Sequence, residues 1–276
     1  MASMKHWHEA FEVIRPHVFL VETPMGSGSG FLVATTGDRG MVGIATAGHV
    51  IEHAFKWNQP IRVFDTESKK GILLEAQNRA ILGNWGRDAA AIVFEPQELP
   101  MPAAPLSLIP PENRIKVGVE IAWMGFPGVT DRELCFFSGA VSRYRPDNEE
   151  YLVDGVAING VSGGPAMQLK PSGPRLIGLV SAYIPNRLTG GSLPGLCVIK
   201  DISSLKQEIQ TIVSFRAAKA KEQASAESLP PEPPSIPPTQ PGVAGEGPAD
   251  DKAGPDRRHP RSRRKRQGRP AGSKTA

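Results

Sequence analysis

The stretch "INGVSGGPAM", residues Ile158 to Met167, carries the sharpest pattern in this sequence. It places Ser162 shortly after Gly160 and directly before the pair Gly163–Gly164. A nucleophilic serine needs its hydroxyl exposed on a tight turn whose backbone amides face the developing oxyanion. Glycine permits both the strained dihedral angles and the close approach that such a turn requires. The alternative interpretation is an ordinary glycine-rich turn between two strands.

Two other motifs carry side chains that a nucleophilic serine needs. In "IATAGHV", a strand-like run of small residues ends just before His49, which leaves both ring nitrogens reachable, as a general base requires. In "GNWGRDAAAIVF", Asp88 precedes an apolar run, where its carboxylate can accept a hydrogen bond from a histidine and fix its tautomer. Alone, each has a commoner explanation, a structural histidine and a turn aspartate.

The surrounding sequence predicts an all-β fold. Short apolar runs such as "HVFLVET" and "RLIGLVSAYI", separated by Gly, Pro, Asn or Asp, fill the first 200 residues and favour a barrel or sandwich. Residues 96–114 contain six prolines and are predicted to link two β units, at about 10–95 and 115–200. A helix is predicted at 202–223, because four apolar residues share one helical face: Leu205, Ile209, Ile212 and Val213.

The last 52 residues, 225–276, differ in composition and are predicted to be disordered. Seven of the twelve residues from Pro230 to Pro241 are proline, and residues 252–276 hold ten Lys or Arg against Asp256 alone. Residues 1–251 then carry 22 basic and 27 acidic residues, a net charge of −5. We expect this tail to contact nucleic acid or an acidic partner electrostatically, and a solubilising tail is the alternative.

The cysteine content and the apolar runs indicate a cytoplasmic protein. Two cysteines, Cys135 and Cys197, do not form the disulfide framework of a small secreted domain. The N-terminus lacks the uninterrupted apolar core of a signal peptide, and no run reaches the length of a membrane span. The sequence leaves the oligomeric state open.

Together, His49 in "TAGHV", Asp88 before its alanine-rich run and Ser162 in "GVSGGP" resemble the chymotrypsin-like (trypsin-like) serine peptidases, in the same chain order. The pattern is most similar to the bacterial high-temperature-requirement branch, without its PDZ domain, because "GSGFLV" precedes the histidine run and "LIGLVSAY" follows the serine. The resemblance implies a peptidase domain at 10–215, built as two six-stranded antiparallel barrels with a site in the cleft between them and a C-terminal helix.

The resemblance also implies a role for each site residue. Ser162 would attack the peptide carbonyl, His49 would act as general base and then acid, and Asp88 would orient the imidazole. The backbone amides of Gly160 and Ser162 would form the oxyanion hole. The implied function is a serine endopeptidase that hydrolyses protein or peptide substrates without a cofactor or metal.

By the same resemblance, Val156, Ser181 and Tyr183 would line the substrate pocket. Val156 stands where digestive members have the pocket base, so a small or medium apolar residue is expected before the scissile bond. Tyr183 stands where the family often has glycine, which predicts a narrowed or closed pocket. Val161 replaces the aspartate that digestive members use during zymogen activation, so no N-terminal processing is expected.

Two other functions stay open. "HVIEH", from His49 to His53, matches the H-x-x-E-H motif of zinc peptidases, although two such ligands need a sustained helix and a third ligand. A peptidase fold with a closed site that serves as a binding or tethering module is the other alternative.

The glycine-rich stretch "GSGSG", residues 26–30, leads into a strand-like run and lacks the helix and Lys–Ser/Thr pair of a phosphate-binding loop. We therefore expect Gly28 and Gly30 to be small so that the turn around Ser162 can approach their backbone.

Overall fold

The computed structural model describes residues 4–35, 40–110, 113–185 and 192–214, and side chains are described outside 182–194. The tail predicted at 225–276 lies outside these ranges, so its expected contacts stay predictions. Thirteen strands and two α-helices begin and end within the described ranges. The elements are α1 (Trp7–Ile14), β1 (Val18–Thr23), β2 (Gly26–Thr35), β3 (Val42–Ala47), α2 (Gly48–Lys56), β4 (Ile61–Asp65), β5 (Lys70–Leu74), β6 (Ala80–Asn84), β7 (Ala89–Phe94), β8 (Glu120–Gly125), β9 (Cys135–Arg145), β10 (Glu150–Asp154), β11 (Pro165–Lys170), β12 (Gly173–Pro185) and β13 (Ser192–Asp201).

The N-terminal half is an antiparallel sheet in the order β5-β4-β1-β2-β3-β7-β6. Its register brings two of the predicted motifs together, because β3 and β7 pair along their whole length and Ala47 at the end of β3 faces Ala89 at the start of β7. His49 lies two residues beyond β3 and Asp88 one residue before β7. Antiparallel pairing therefore places these two residues side by side.

The C-terminal half is a closed antiparallel barrel in the order β10-β13-β12-β11-β8-β9. Trp123 of β8 is fully buried in it and donates an indole hydrogen bond to the carbonyl of Val156, with 3.1 Å between Nε1 and oxygen. Ser162 lies in the loop between β10 and β11. The carbonyl of Val156, in the same loop, is thus tied to the barrel core.

Two β units were expected and are present, but the N-terminal unit differs in detail from a six-stranded barrel. It has seven strands, and no ladder joins its edge strands β5 and β6 within the described residues. The edge strand β5 buries Ile72 and Leu74 and exposes its other three residues, and β6 has no fully buried residue. The short helix α1 was not predicted, and it packs through the buried side chains of Ala10 and Ile14.

A helix at the C-terminal end is present as predicted, over residues 206–214 after a 3-10 turn at Ile202–Leu205, and the rest of its predicted span lies outside the described residues. Leu205 and Ile212 are buried, but Val213, predicted on the same apolar face, is 49% exposed. A Cβ added to Gly43 of β3 would lie 2.7 Å from Cδ1 of Ile212, so the helix packs closely on the N-terminal sheet. Among the described helices, none has the length and apolar character to cross a membrane.

Gly178 of β12 offers a test of how tightly the barrel is packed. A Cβ at this position would lie 1.9 Å from the carbonyl oxygen of Lys200, a backbone atom that moves only with its strand. We expect Gly178→Ala to lower the free energy of unfolding by about 2 kcal/mol or more, as overpacking does elsewhere. Urea denaturation measures the change.

The matched control is Gly86→Ala, since a Cβ there meets no atom within 4 Å. It should change the free energy of unfolding by no more than about 0.5 kcal/mol. Equal stability of Gly178→Ala and the unmodified chain would contradict the described register of β12 and β13.

Candidate active site

Asp88 adopts an unusual backbone conformation at the start of β7. Its φ is +53°, in the left-handed region, where aspartate is among the few residues other than glycine that occur regularly. The residue ends a short 3-10 turn, and its amide donates to the carbonyl of Trp85. The turn directs the carboxylate toward the N-terminus of α2, where the His49 amide donates to Oδ1 at 2.8 Å.

The ring of His49 is bound to the same carboxylate. Nδ1 lies 2.9 Å from Oδ2 and 3.1 Å from Oδ1 of Asp88. Because an ionised carboxylate only accepts hydrogen bonds, the ring carries its proton on Nδ1. The other ring nitrogen, Nε2, is then the basic one when the ring is neutral, and the side chain is 49% exposed.

A third donor reaches Asp88 from the other half of the molecule. The hydroxyl of Ser181, on β12, donates to Oδ2 at 2.5 Å. Burial raises the pKa of the Asp88 carboxyl, but the hydrogen bonds and charge of His49, together with the Ser181 hydroxyl, outweigh it and hold the pKa below its ordinary value. Asp88 is therefore ionised at neutral pH.

Ser162 lies on a turn that is shaped by glycines. Gly160 and Gly163 have φ values of +95° and +86°, and a Cβ on Gly163 would lie 2.2 Å from the carbonyl oxygen of Ser29. Within the described residues, the amides of Gly160 and Ser162 donate to no partner. Both predicted oxyanion donors are consequently free to bind an oxygen atom from a ligand.

Ser181 connects the serine turn with the His–Asp pair. The Ser162 hydroxyl donates to the Ser181 carbonyl at 3.1 Å, while the Ser181 hydroxyl binds Asp88. No hydrogen bond joins the Ser162 hydroxyl to the His49 ring among the contacts of the described residues. The structure thus brings Ser162, Asp88 and His49 to one place, with the serine hydroxyl oriented toward β12.

The predicted pocket residues are only partly described. Val156 is 49% exposed, which leaves its side chain available to a ligand. Ser181 engages Asp88 through its hydroxyl rather than presenting it to a pocket. The side chain of Tyr183 lies outside the described part of the chain, so the narrowing that it predicts stays a prediction.

The glycine-rich strand β2 contacts the serine turn, but not through both of the expected residues. A Cβ on Gly28 would lie 3.0 Å from the Ser162 carbonyl oxygen, as expected. The expectation for Gly30 is wrong, because a Cβ there would meet Ile44, Ala45 and Val21 of its own sheet.

The residue between these two glycines contacts the turn more closely. The amide of Ser29 donates to the Ser162 carbonyl at 2.7 Å, and its hydroxyl donates to the Gly160 carbonyl at 2.8 Å. Ser29 was not predicted from the sequence, because β2 also contains Ser27 and Thr35 and nothing in the local pattern distinguishes Ser29 from them.

The side chains of His49 and His53, the zinc ligands of the alternative hypothesis, both contact other residues. Nδ1 of His53 lies 3.0 Å from Oε1 of Gln59, and Nδ1 of His49 is engaged with Asp88. In the part of the chain that the structure describes, no three His, Cys, Asp or Glu side chains are grouped to hold a metal ion.

The low pKa of Asp88 predicts a pH dependence of stability. Its ionised form is stabilised in the folded state, so this contribution is complete above the ordinary aspartate pKa of about 3.9 and is lost as pH falls through the lower folded value. We expect Asp88→Asn to be less stable than the unmodified chain at pH 7, and the difference to shrink below about pH 4. Urea denaturation between pH 7 and pH 3 measures it. A difference that stays constant with pH would contradict the assigned shift.

Comparisons with known proteins identify the family and the fold. The family model described as a trypsin-like peptidase domain matches residues 28–179. Two crystal structures of Rv3671c are similar to this structure, both at 15% sequence identity and a TM-score of 0.52. One, from M. tuberculosis H37Rv, is an inactive form with serine replaced by alanine, and the match covers 74% of this chain and 90% of that one. The other, the protease in an inactive form, is matched over 77% of this chain and 98% of that one.

No curated protein matches the chain significantly. At 15% identity the likeness to Rv3671c shows the fold, and it confirms the chymotrypsin-like architecture expected from the sequence. The family match covers more than half of the chain and spans the strand before His49, the turn of Asp88 and the turn of Ser162. The chain therefore belongs to the trypsin-like peptidase domain family.

Proposed function

We propose that this protein is a serine endopeptidase with Ser162 as nucleophile, His49 as general base and Asp88 as the group that orients His49. The observation that carries the proposal is the Asp88 carboxylate, which accepts hydrogen bonds from the His49 ring and from Ser181, whose carbonyl holds the Ser162 hydroxyl. Family membership supports a peptidase, and the local chemistry favours the serine type.

The reaction would follow from the properties of these groups. As the Ser162 Oγ forms a bond to the substrate carbonyl carbon, its proton passes to Nε2 of His49. The ring becomes an imidazolium that ionised Asp88 stabilises through Nδ1. His49 then gives the proton to the leaving amine, and water hydrolyses the acyl-enzyme by the same steps.

The developing oxyanion would be held by the amides of Gly160 and Ser162. Neither amide has a partner among the described residues, so neither has to break a hydrogen bond within the protein before it binds the transition state. Donors that are already oriented cost no reorganisation when charge develops, which is why such sites contribute strongly to the rate.

We also propose a preference for small or medium apolar residues before the scissile bond. Val156 precedes the serine turn at the position of the pocket base in this family, and its half-exposed side chain carries no charge. The motifs "GSGFLV" and "LIGLVSAY" favour the high-temperature-requirement branch within the family.

Two substitutions test the proposed roles. Ser162→Ala should abolish labelling by a fluorophosphonate probe, because the probe forms its bond with the nucleophilic oxygen. Asp88→Asn should lower kcat by about 10⁴-fold, because an amide at this position stabilises the wrong histidine tautomer. Both are measured with casein and with the probe on folded protein. A folded, unmodified chain that neither cleaves casein nor reacts with the probe would favour the binding-module alternative and refute the proposed endopeptidase.

The zinc alternative is tested by a chelator and by His53. We expect activity to survive EDTA and to survive His53→Ala within about two-fold, because His53 contacts Gln59 rather than the proposed triad. Casein hydrolysis measures both, with His49→Ala as the inactive control. Loss of activity in EDTA together with loss in His53→Ala would support the zinc peptidase instead.

A further inference from the structure

The hydroxyl of Ser29 joins the two halves of the molecule at the serine turn. Ser29 belongs to β2 of the N-terminal sheet and is fully buried. Its hydroxyl accepts a hydrogen bond from the Phe126 amide at 2.9 Å and donates one to the Gly160 carbonyl at 2.8 Å. Both partners belong to the C-terminal half, where Phe126 follows β8 directly. A hydroxyl at this point therefore pairs two backbone groups that come from different segments.

Gly160 adopts a backbone conformation and a close backbone packing that exclude other residues. Its φ is +95°, and a Cβ would lie 2.3 Å from the Phe126 carbonyl oxygen and 2.8 Å from the Gly128 nitrogen. A glycine is therefore required there. A glycine is also the residue whose flanking peptide groups rotate most easily, so its orientation has to be fixed from outside.

The peptide group before Gly160 is held by one hydrogen bond and the group after it by two. The Val161 amide, which belongs to the second group, donates to the Ile158 carbonyl at 3.0 Å. The carbonyl of Asn159 accepts from the Gly128 amide at 2.7 Å, and the carbonyl of Gly160 accepts from the Ser29 hydroxyl. The amide of Gly160 belongs to the first of these groups. Because the carbonyl and amide of one peptide point in opposite directions, the bond from Gly128 sets the direction of the Gly160 amide. Ser29 supports this arrangement from both sides, because its hydroxyl holds the Phe126 amide, two residues before Gly128, and the carbonyl of Gly160.

We infer that Ser29 is a positioning residue whose hydroxyl keeps the Gly160 amide directed at the oxyanion. The inference rests on the proposed function, because it assigns Ser29 a task within the oxyanion hole of that reaction. Ser29 does not touch the reacting atoms. It acts through Gly160, and its own amide separately holds the carbonyl of Ser162 at 2.7 Å.

The substitution Ser29→Ala isolates the hydroxyl, because the backbone amide and its bond to Ser162 remain. Without the hydroxyl, the Gly160 carbonyl and the Phe126 amide both lose their partner, and a shift of Gly160 and of the segment from Phe126 to Gly128 is the available relief. Loss of an oxyanion donor outright typically lowers kcat by about 10²–10³-fold. We expect a loss of about 10- to 100-fold in kcat for Ser29→Ala, with KM for casein changed by less than about three-fold.

An inhibitor provides a readout that a purely structural role would not move. A tetrapeptide aldehyde with a valine side chain at its reactive end forms a hemiacetal with the serine, and its oxygen binds in the oxyanion hole. We expect Ser29→Ala to weaken aldehyde inhibition by the same factor as kcat. Ser29→Cys, which retains a weak donor, should fall between Ser29→Ala and the unmodified chain in both measurements.

Tyr151→Phe is the matched control. The Tyr151 hydroxyl is buried, accepts from the Ile115 amide at 3.4 Å and donates to Oδ2 of Asp201 at 3.0 Å. Its removal also deletes two hydrogen bonds, one accepted from a backbone amide and one donated to a carboxylate, and neither partner belongs to the serine turn. We expect it to lower the melting temperature while kcat and aldehyde inhibition stay within about two-fold.

The outcomes separate this inference from the proposed function. An unmodified chain without turnover or probe labelling refutes the proposed function. An active chain in which folded Ser29→Ala keeps its kcat and its aldehyde affinity refutes the role of Ser29 alone. If Ser29→Ala does not fold, unchanged kcat and aldehyde affinity in Ser29→Cys refute it equally. Parallel losses in Ser29→Ala, with an unaffected Tyr151→Phe, support it.

Discussion

The carboxylate of Asp88 is the point on which the arrangement of this molecule depends. It accepts hydrogen bonds from the amide and ring of His49 in the N-terminal half and from the hydroxyl of Ser181 in the C-terminal barrel. A partly buried charge is stable only when such donors surround it, and removal of one partner leaves an expensive unpaired charge. The two halves are therefore joined where an ionised group needs both of them. The left-handed backbone of Asp88 is the local strain that this position imposes.

The serine turn depends on a second constraint, which is the close approach of backbone from two other strands. A Cβ on Gly164 would lie 1.9 Å from the Met124 carbonyl oxygen, and one on Gly163 would lie 2.2 Å from that of Ser29. Neighbouring backbone leaves no room for side chains here, and the positive φ of Gly163 would strain any other residue. The conformation of the turn is thus determined by β2 and β8 as much as by its own sequence. The glycines of "GVSGGP" are needed because distant parts of the chain pack directly against the turn.

Much of the site could be predicted because its residues stand next to strand ends. The antiparallel pairing of β3 with β7, which was not predicted because it joins distant parts of the sequence, is what brings His49 to Asp88. The strand count of the N-terminal half could not be predicted, since closure depends on whether the edge strands β5 and β6 pair with each other, and local sequence does not encode such long-range pairing. The exposure of Val213 escaped prediction for a similar reason. Periodicity shows an apolar stripe, while the neighbouring elements decide how much of it is covered.

The residues whose contacts were not predicted are polar and buried, and they act across the two halves. Ser181 was assigned to a substrate pocket and Ser29 to no role, yet each contributes both a backbone group and a hydroxyl to the centre. Neither periodicity nor local propensity encodes a hydrogen bond between residues 93 or 131 positions apart. A buried hydroxyl has to find a partner, because its desolvation costs about 1–3 kcal/mol when it is unpaired. A buried serine in a strand, such as Ser29 or Ser181, thus requires a polar partner from a distant segment.

The resting contact of the Ser162 hydroxyl fits this account of the centre. Its hydrogen bond to the Ser181 carbonyl, at 3.1 Å, is a neutral one of ordinary length, and such bonds contribute about 1 kcal/mol net. In the proposed mechanism the hydroxyl leaves that carbonyl for His49 and so exchanges one hydrogen bond for another. The cost of this exchange is at most about a factor of ten in rate, which is small beside the contribution expected from a preformed oxyanion hole. In the proposed mechanism the carboxylate and the backbone of the turn accordingly stay in place, whereas the Ser162 hydroxyl changes its hydrogen-bond partner.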